Sequence, residues 1–152
     1  MGSDFYVSVG QRTQFTKTVG ESDVYLFAGI TGDFSPNHVN QVYMERSSFG
    51  TRMVHGALLV GFMSTVSSMA IAHTRDAPET PVSAGYDRIR FIKPVLLGDT
   101  VTVTYTIAAI DRDRRRSTAD LEVCNQRGEL VAVGHHILQW VSADVPGPRG
   151  AP

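Results

Sequence analysis

A carboxylate and an imidazole lie five residues apart in this chain, at Asp33 and His38. Pro36 lies between them and keeps the preceding residue out of the helical region, so residues 32–38 are predicted to form a loop. Imidazole titrates near neutrality, and a nearby carboxylate can orient it or share its proton. The spacing therefore indicates a site that moves a proton.

A second candidate follows at His55-Gly56, where an uncharged stretch begins that runs to Ala72. Gly56 has no Cβ, so its backbone N–H can approach a ligand closely. The N-terminus of a helix adds a field that favours negative charge, and N–H groups aimed at a developing oxyanion stabilise it. We therefore expect Gly56 to bind an oxyanion, whereas His55 is interpreted as a structural hydrogen-bonding residue.

The first half of the chain predicts helices that would carry these candidates. Glu21-Ser22-Asp23 precedes an apolar pattern from Val24 to Ile30, which indicates a capped helix of about ten residues that Gly32 ends. A short helix is expected over residues 40–46. From Gly56 to Ala72 the large apolar residues recur at helical spacing and the other positions are small, so this segment is predicted to be a central, close-packed helix.

The second half of the chain alternates between apolar and polar residues, as strands do. Four such segments, around residues 88–91, 100–107, 119–123 and 129–141, follow one another with short turns and predict an antiparallel sheet. The helix from Gly56 is apolar enough to cover one face of that sheet. The sequence therefore predicts an α+β hot-dog fold, and the sheet edge that it leaves open predicts a homodimer or a higher homo-oligomer.

Length and composition limit the classes of function. The 152 residues are enough for one domain, predicted over residues 1–143, with a Pro/Gly-rich disordered tail over residues 144–152. A net charge of −1 gives no basic surface for nucleic acid, and the mixed-sign run 111–116 is predicted to be a hairpin tip. The serines and threonines of the central helix favour a buried helix over a membrane span, and a cytoplasmic location is expected.

No metal site is predicted from the sequence. Cys124 is the single cysteine, which excludes an internal disulfide and a cysteine-rich metal site. His73, His135 and His136 do not form the paired helical spacing of a zinc motif.

Several segments in the same order resemble the MaoC-like, (R)-specific enoyl-CoA hydratase family. They are residues 27–38, residues 54–58 and the later residues 91–99. The family motif reads Gly-Asp, a free residue, Asn-Pro, an apolar residue and His. Asp33, Pro36 and His38 match it, whereas Ser35 replaces the Asn and Asn37 replaces the apolar residue.

The resemblance implies reversible syn-addition of water to a trans-2-enoyl-CoA thioester, giving the (R)-3-hydroxyacyl product. Asp33 and His38 would hold one water between them, with one group acting as base and the other as acid; the sequence does not decide which. The resemblance also implies Gly56 as the oxyanion donor and Ser64 as a supporting hydroxyl, and Ser35 is expected to preserve the loop. No separate cofactor is implied, because coenzyme A is part of the substrate.

Two alternatives stay open on the sequence alone. One is a dehydratase that acts on an acyl-carrier-protein thioester or on a branched or dicarboxylic acyl group, which the polar Asn37 would favour. The other is a hot-dog thioesterase or acyl-binding domain without hydration activity, against which the presence of both Asp33 and His38 argues. The positive groups that could meet the phosphates of coenzyme A are Arg46, Arg52, Arg88, Arg90 and Lys93.

Overall fold

A five-stranded antiparallel sheet with one long helix on its face forms the fold in the computed structural model, which describes residues 5–142. In chain order the elements are β1 (Arg12–Thr18), α1 (Glu21–Thr31), α2 (Pro36–Val39), α3 (Gln41–Met44), α4 (Gly56–Ala70), a 3-10 turn (Ala72–Thr74), β2 (Glu79–Phe91), β3 (Thr100–Asp111), β4 (Arg116–Cys124) and β5 (Leu130–Ser142). The strands lie side by side in the order β1-β3-β4-β5-β2.

Helix α4 forms the core together with the inner face of the sheet. Its buried side chains include Leu59, Met63 and Val66, and the helix packs against β1 and β3. Every second residue of β3 from Val101 to Ile107 is buried on the same face. Each large apolar side chain buried there contributes roughly 1.5–3 kcal/mol. The predicted α+β hot-dog arrangement is confirmed.

Helix α1 delivers the chain to the candidate site. It begins one residue after Gly20, whose N–H donates to the Asp23 carboxylate at 2.9 Å. It ends at Gly32, which adopts a left-handed conformation with φ of 82° and donates to the carbonyl of Ala28. A residue with a Cβ would be strained in that conformation, so glycine sets the turn into the segment that holds Asp33.

Two boundaries predicted around the site are wrong. The segment from residue 32 to 38 is not all loop, because α2 begins at Pro36, and proline is well suited to the first position of a helix. His38 therefore lies in a helical turn. The central helix ends at Ala70 rather than Ala72, since Ile71 leaves the helical conformation and leads into the 3-10 turn.

The sheet also differs from the prediction at both of its edges. The edge strand β1 was not predicted; its residues are mainly polar and Phe15 is its one large apolar side chain. Strand β2 starts at Glu79, well before the predicted segment. Register shifts at Ser83/Gly85 and Asp87/Arg90 break its alternation, and Arg88 there has φ of 52°. Bulges of this kind hide the period-two pattern from the sequence.

Several smaller predictions concern the periphery. Residues 111–116 join β3 to β4 as a turn, which confirms the hairpin tip. Cys124 is half-buried at the end of β4 and unpaired with another cysteine. The predicted tail, residues 144–152, lies outside the described residues. Within residues 5–142, the helices are all too short or too polar to cross a membrane.

Candidate active site

The imidazole of His38 is buried and fixed by the backbone of Met53. Its Nδ1 lies 2.7 Å from the Met53 carbonyl oxygen, and the Met53 N–H donates to the Asn37 carbonyl at 3.0 Å. A carbonyl oxygen only accepts, so Nδ1 carries the proton. In the neutral form of the ring the lone pair is therefore on Nε2, which is the atom able to act as a base.

Asp33 lies on the turn after α1 with half of its side chain exposed. Its Oδ1 accepts from the N–H of Ser35 at 3.2 Å, and its own N–H donates to the hydroxyl of Thr31 at 3.3 Å. These local bonds hold the carboxylate at the N-terminal end of α2. The exposed fraction of the side chain is 51%, so the second carboxylate oxygen remains accessible to water or substrate.

His55 connects the two halves of the site. Its Nε2 donates to the backbone carbonyl of Asp33 at 3.0 Å, and its ring stacks on that of His38 with centroids 3.7 Å apart. The ring is almost completely buried, and Nδ1 finds no hydrogen-bond partner within the described chain. The hydrogen bond expected of His55 is present and ties the loop of Asp33 to the start of α4, and its structural role stays a prediction.

The spacing of these groups suits one bridging water. Asp33, His38 and His55 each offer an atom, and the three atoms lie within 4.8 Å of one another. A water that makes hydrogen bonds of about 2.8 Å on both sides spans such a gap with an ordinary angle at its oxygen. A carboxylate, an imidazole and one water are the groups that acid–base chemistry needs.

The same three residues are poorly arranged for a metal ion. A zinc ion about 2.1 Å from both imidazoles would have to lie close to the plane of each ring. The planes of His38 and His55 are tilted by only 24° and their centroids are 3.7 Å apart, so an ion at that distance would lie out of at least one plane. The cluster is suited to proton transfer.

Gly56 begins α4 at the edge of this cluster. The side chain of His55, the N-cap residue, makes no capping hydrogen bond, so no N-cap side chain occupies the first N–H groups of α4. A Cβ at Gly56 would lie 2.6 Å from the Phe91 ring, closer than any carbon contact permits. The glycine is therefore needed for the ring to lie against the start of the helix.

A cavity of about 420 Å³ opens at this point. Its lining combines His38 and Gly56 with mainly apolar walls; the residues are Asn37, His38, Phe49, Met53, Val54, Gly56, Ala57, Leu59, Phe91, Ile92, Lys93, Pro94 and Val95. The site thus has one polar end, with a base and free N–H groups, and an apolar channel beside it. Such a cavity fits an acyl chain with a reactive carbonyl group at the polar end.

Residues 6–126 match the family model described as MaoC like domain. The chain belongs to this family. It is 34% identical over 128 residues to the (R)-specific enoyl-CoA hydratase of Rhodospirillum rubrum, covering 84% of each chain. It is 30% identical over 133 residues to the 3-hydroxybutyryl-CoA dehydratase of Methylorubrum extorquens, covering 88% of this chain and 80% of the relative.

Solved structures give the same answer for the fold of this MaoC-like domain. The (R)-hydratase from A. caviae involved in PHA biosynthesis superimposes with a TM-score of 0.77 at 26% identity. The match covers 88% of this chain and 96% of that one. This chain therefore shares the fold of a hydratase structure over 88% of its length.

The supporting residues predicted for this MaoC-like domain are less closely involved. Ser35 is exposed, and it contributes its backbone: its N–H bonds Asp33, and its carbonyl accepts from the His38 N–H at 2.9 Å. Ser64 does not line the cavity; it lies on α4 near Tyr86. Burial raises the pKa of Tyr86, and hydrogen bonding to the neighbouring serine hydroxyls offsets part of that rise. The roles of the two serine hydroxyls stay predictions.

Of the five candidate phosphate-binding cations, Lys93 is the one that lines the cavity. Its ammonium group pairs with Glu129 at 2.8 Å and half of its side chain is exposed. Arg52 is instead bound to Glu21 and to the Tyr25 hydroxyl on α1. Lys93 is thus the best-placed cation for a phosphate at the cavity mouth.

Sequence reasoning missed Met53 and Phe91. Met53 acts through its backbone, which no side-chain pattern reveals. Phe91 ends β2 and reaches Gly56 only through the fold, so the sequence gives no signal for this contact. In the structure 55% of the Phe91 surface is exposed.

A third buried histidine lies in the sheet, apart from the cavity. His136 has its Nδ1 3.0 Å from the Tyr105 hydroxyl and its Nε2 2.8 Å from the Ser83 hydroxyl, and its ring stacks on Tyr86. Burial lowers the pKa of His136 to about 4, because no carboxylate is among these contacts to stabilise the charged form. The same burial raises the pKa of Tyr105.

Proposed function

We propose that this protein is a hydro-lyase that adds water reversibly to a trans-2-enoyl-CoA, giving the (R)-3-hydroxyacyl-CoA. One observation carries the proposal: Nδ1 of His38 donates to the Met53 carbonyl, which leaves Nε2 as the basic nitrogen of a ring that lies within reach of the Asp33 carboxylate. The names of the relatives, an (R)-specific enoyl-CoA hydratase and a 3-hydroxybutyryl-CoA dehydratase, support the same reaction class.

The proton transfers follow from this geometry. Nε2 of His38 removes a proton from the bound water, and the water oxygen forms a bond to the β-carbon. The electron pair of the double bond moves to the thioester oxygen, giving an enolate. The proton taken by His38 passes to the Asp33 carboxylate, and Asp33 delivers it to the α-carbon, so that both groups return to their starting state. Dehydration is the reverse sequence.

The enolate oxygen requires a donor at the polar end of the cavity. The backbone N–H of Gly56 is uncapped and begins a helix of 15 residues, so both the N–H dipole and the field of α4 favour negative charge there. The walls beside this end are mainly apolar, and an electrostatic interaction is stronger in such surroundings than in water.

Spectrophotometry of purified protein with trans-2-enoyl-CoA thioesters of four to eight carbons tests the activity. Hydration removes the absorbance of the conjugated enoyl thioester, whereas hydrolysis releases a free thiol. We expect loss of absorbance without thiol release. Thiol release without hydration would identify a thioesterase instead, and activity only on acyl-carrier-protein thioesters would change the carrier.

Asp33→Ala and His38→Ala test the assignment of the two groups. Each should lower kcat by about 10²-fold or more, as loss of a general acid or base does. The chain offers a matched control in Asp120 and His135, an exposed pair 2.7 Å apart that is not part of the cluster of Asp33, His38 and His55. Alanine at either control position should leave kcat within twofold, and wild-type rates in a folded Asp33 or His38 variant would refute the assignment.

A homodimer is part of the proposal. Strand β2 is an edge of the sheet, with 13 residues whose outer hydrogen-bonding groups can pair with another strand. Val82 on this strand, and Phe91 and Ile92 at its end, expose large apolar side chains. Light scattering coupled to gel filtration measures the mass directly; a monomer of 16.6 kDa at micromolar concentration would contradict this part of the proposal.

A further inference from the structure

Asn37 is the polar neighbour of the base. Its carboxamide Nδ2 lies 3.3 Å from Nε2 of His38, and the residue is half-buried in the wall of the cavity. Apart from His38 and Lys93, it is the one residue of that lining with a polar side chain. A buried amide at such a position is costly unless it is hydrogen-bonded, so its partners matter.

The direction of this hydrogen bond follows from the protons of His38. Since Nδ1 donates to the Met53 carbonyl, the neutral ring has no proton on Nε2, and that nitrogen can only accept. Asn37 must therefore donate through Nδ2. The amide occupies the lone pair that takes the proton in catalysis, and it does so in the state without substrate.

A water oxygen that gives its proton to Nε2 has to lie about 2.8 Å from that nitrogen. The Asn37 amide lies 3.3 Å from the same atom and donates to the same lone pair, so a water that bonds Nε2 replaces that contact and lies beside the amide. A carboxamide has both a donor and an acceptor, which lets it bind a water oxygen before the reaction and a hydroxyl after it.

We propose that Asn37 is a catalytic residue that binds the reacting oxygen, which is the attacking water in hydration and the 3-hydroxyl group of the product. This inference rests on the proposed function. The position is apolar in the family motif, so the contact distinguishes this chain from that pattern. It gives the site a means to select ligands that carry an oxygen at the β-carbon, because an analogue without this oxygen gains no hydrogen bond from the amide.

Asn37→Leu is the decisive variant, since it removes the amide with little change in size. The backbone carbonyl of residue 37, which binds the Met53 N–H, remains in place in any variant. Calorimetry in an Asp33→Asn background, where turnover is slowed about 10²-fold or more, measures the Kd of the (R)-3-hydroxyacyl-CoA and of the saturated acyl-CoA. The chain length is the one between four and eight carbons that the wild type hydrates fastest.

We expect Asn37→Leu to weaken binding of the 3-hydroxyacyl-CoA about tenfold and to leave the saturated acyl-CoA within twofold, as loss of one hydrogen bond predicts. With Asp33 intact, kcat should fall about tenfold with little change in KM, and Asn37→Gln should recover part of it. An unchanged ratio of the two Kd values, or a parallel loss for both ligands, would overturn the inference. A wild type that hydrates none of the enoyl-CoAs would instead overturn the proposed function, and this inference with it.

Discussion

Acidification should destabilise this protein through His136. In the folded state burial lowers the pKa of His136 to about 4, whereas a histidine in an unfolded chain titrates near 6.5. Between these two values the unfolded chain binds more protons than the folded one. The contribution of His136 is therefore complete above about pH 6.5 and is lost as the pH falls towards 4.

The two pKa values set the size of the effect. Between pH 7 and pH 5, the uptake of a proton by the unfolded chain lowers the free energy of unfolding by about 2 kcal/mol. Urea denaturation at both pH values measures this difference for the wild type and for His136→Gln. The glutamine can keep hydrogen bonds to Tyr105 and Ser83 but does not titrate, so most of the 2 kcal/mol difference should disappear.

Ser83→Ala is the matched control for this experiment. It removes one hydrogen bond to His136, 2.8 Å long in the folded protein, and keeps the imidazole. It should lower the stability at both pH values by about 1 kcal/mol and keep the pH dependence. If His136→Gln retains the full pH dependence of the wild type, a different group is responsible and the reasoning from burial is refuted.

The two residues at the start of α4 give further predictions. Gly56→Ala places a methyl group against the Phe91 ring, which is exposed enough to move away. We expect the melting temperature to stay within a few degrees of that of the wild type and kcat/KM to fall about 10²-fold. Adding Phe91→Ala should recover part of the lost kcat/KM. Wild-type kcat/KM in Gly56→Ala would contradict this. His55→Phe keeps the aromatic stack on His38 and removes the donor to the Asp33 carbonyl, so kcat should fall about tenfold. His55→Gln should retain more activity, because its amide can still donate to that carbonyl. Equal rates for the two His55 variants would show that this hydrogen bond does not position the site.

The central part of the site could be predicted from the sequence because its residues are near one another in the chain. Asp33 and His38 are separated by one turn, so local geometry brings them close. Gly56 lies near both residues because the extended segment before α4 passes directly beside His38. The fold class followed from one long apolar segment and from alternation in β3, β4 and β5, where burial on one face leaves a clear period-two pattern.

The features that escaped prediction depend on backbone groups or on irregular strands. The tether at Met53 uses an N–H and a carbonyl that every residue except proline possesses, so no residue type signals it. Strand β2 has two register shifts that interrupt its pattern, and consequently the approach of Phe91 to Gly56 was invisible. The environment of His136 was equally hidden, since its partners Tyr105 and Ser83 come from two different strands.

Met53 binds the base through its main chain and also lines the cavity. Its carbonyl accepts from His38 and its N–H donates to the Asn37 carbonyl, and the residue also forms part of the cavity wall. Exchanging its side chain for a shorter or bulkier one leaves both peptide groups where they are. In the proposed hydratase, position 53 can therefore change the shape of the cavity wall while the two backbone hydrogen bonds that hold the base stay in place.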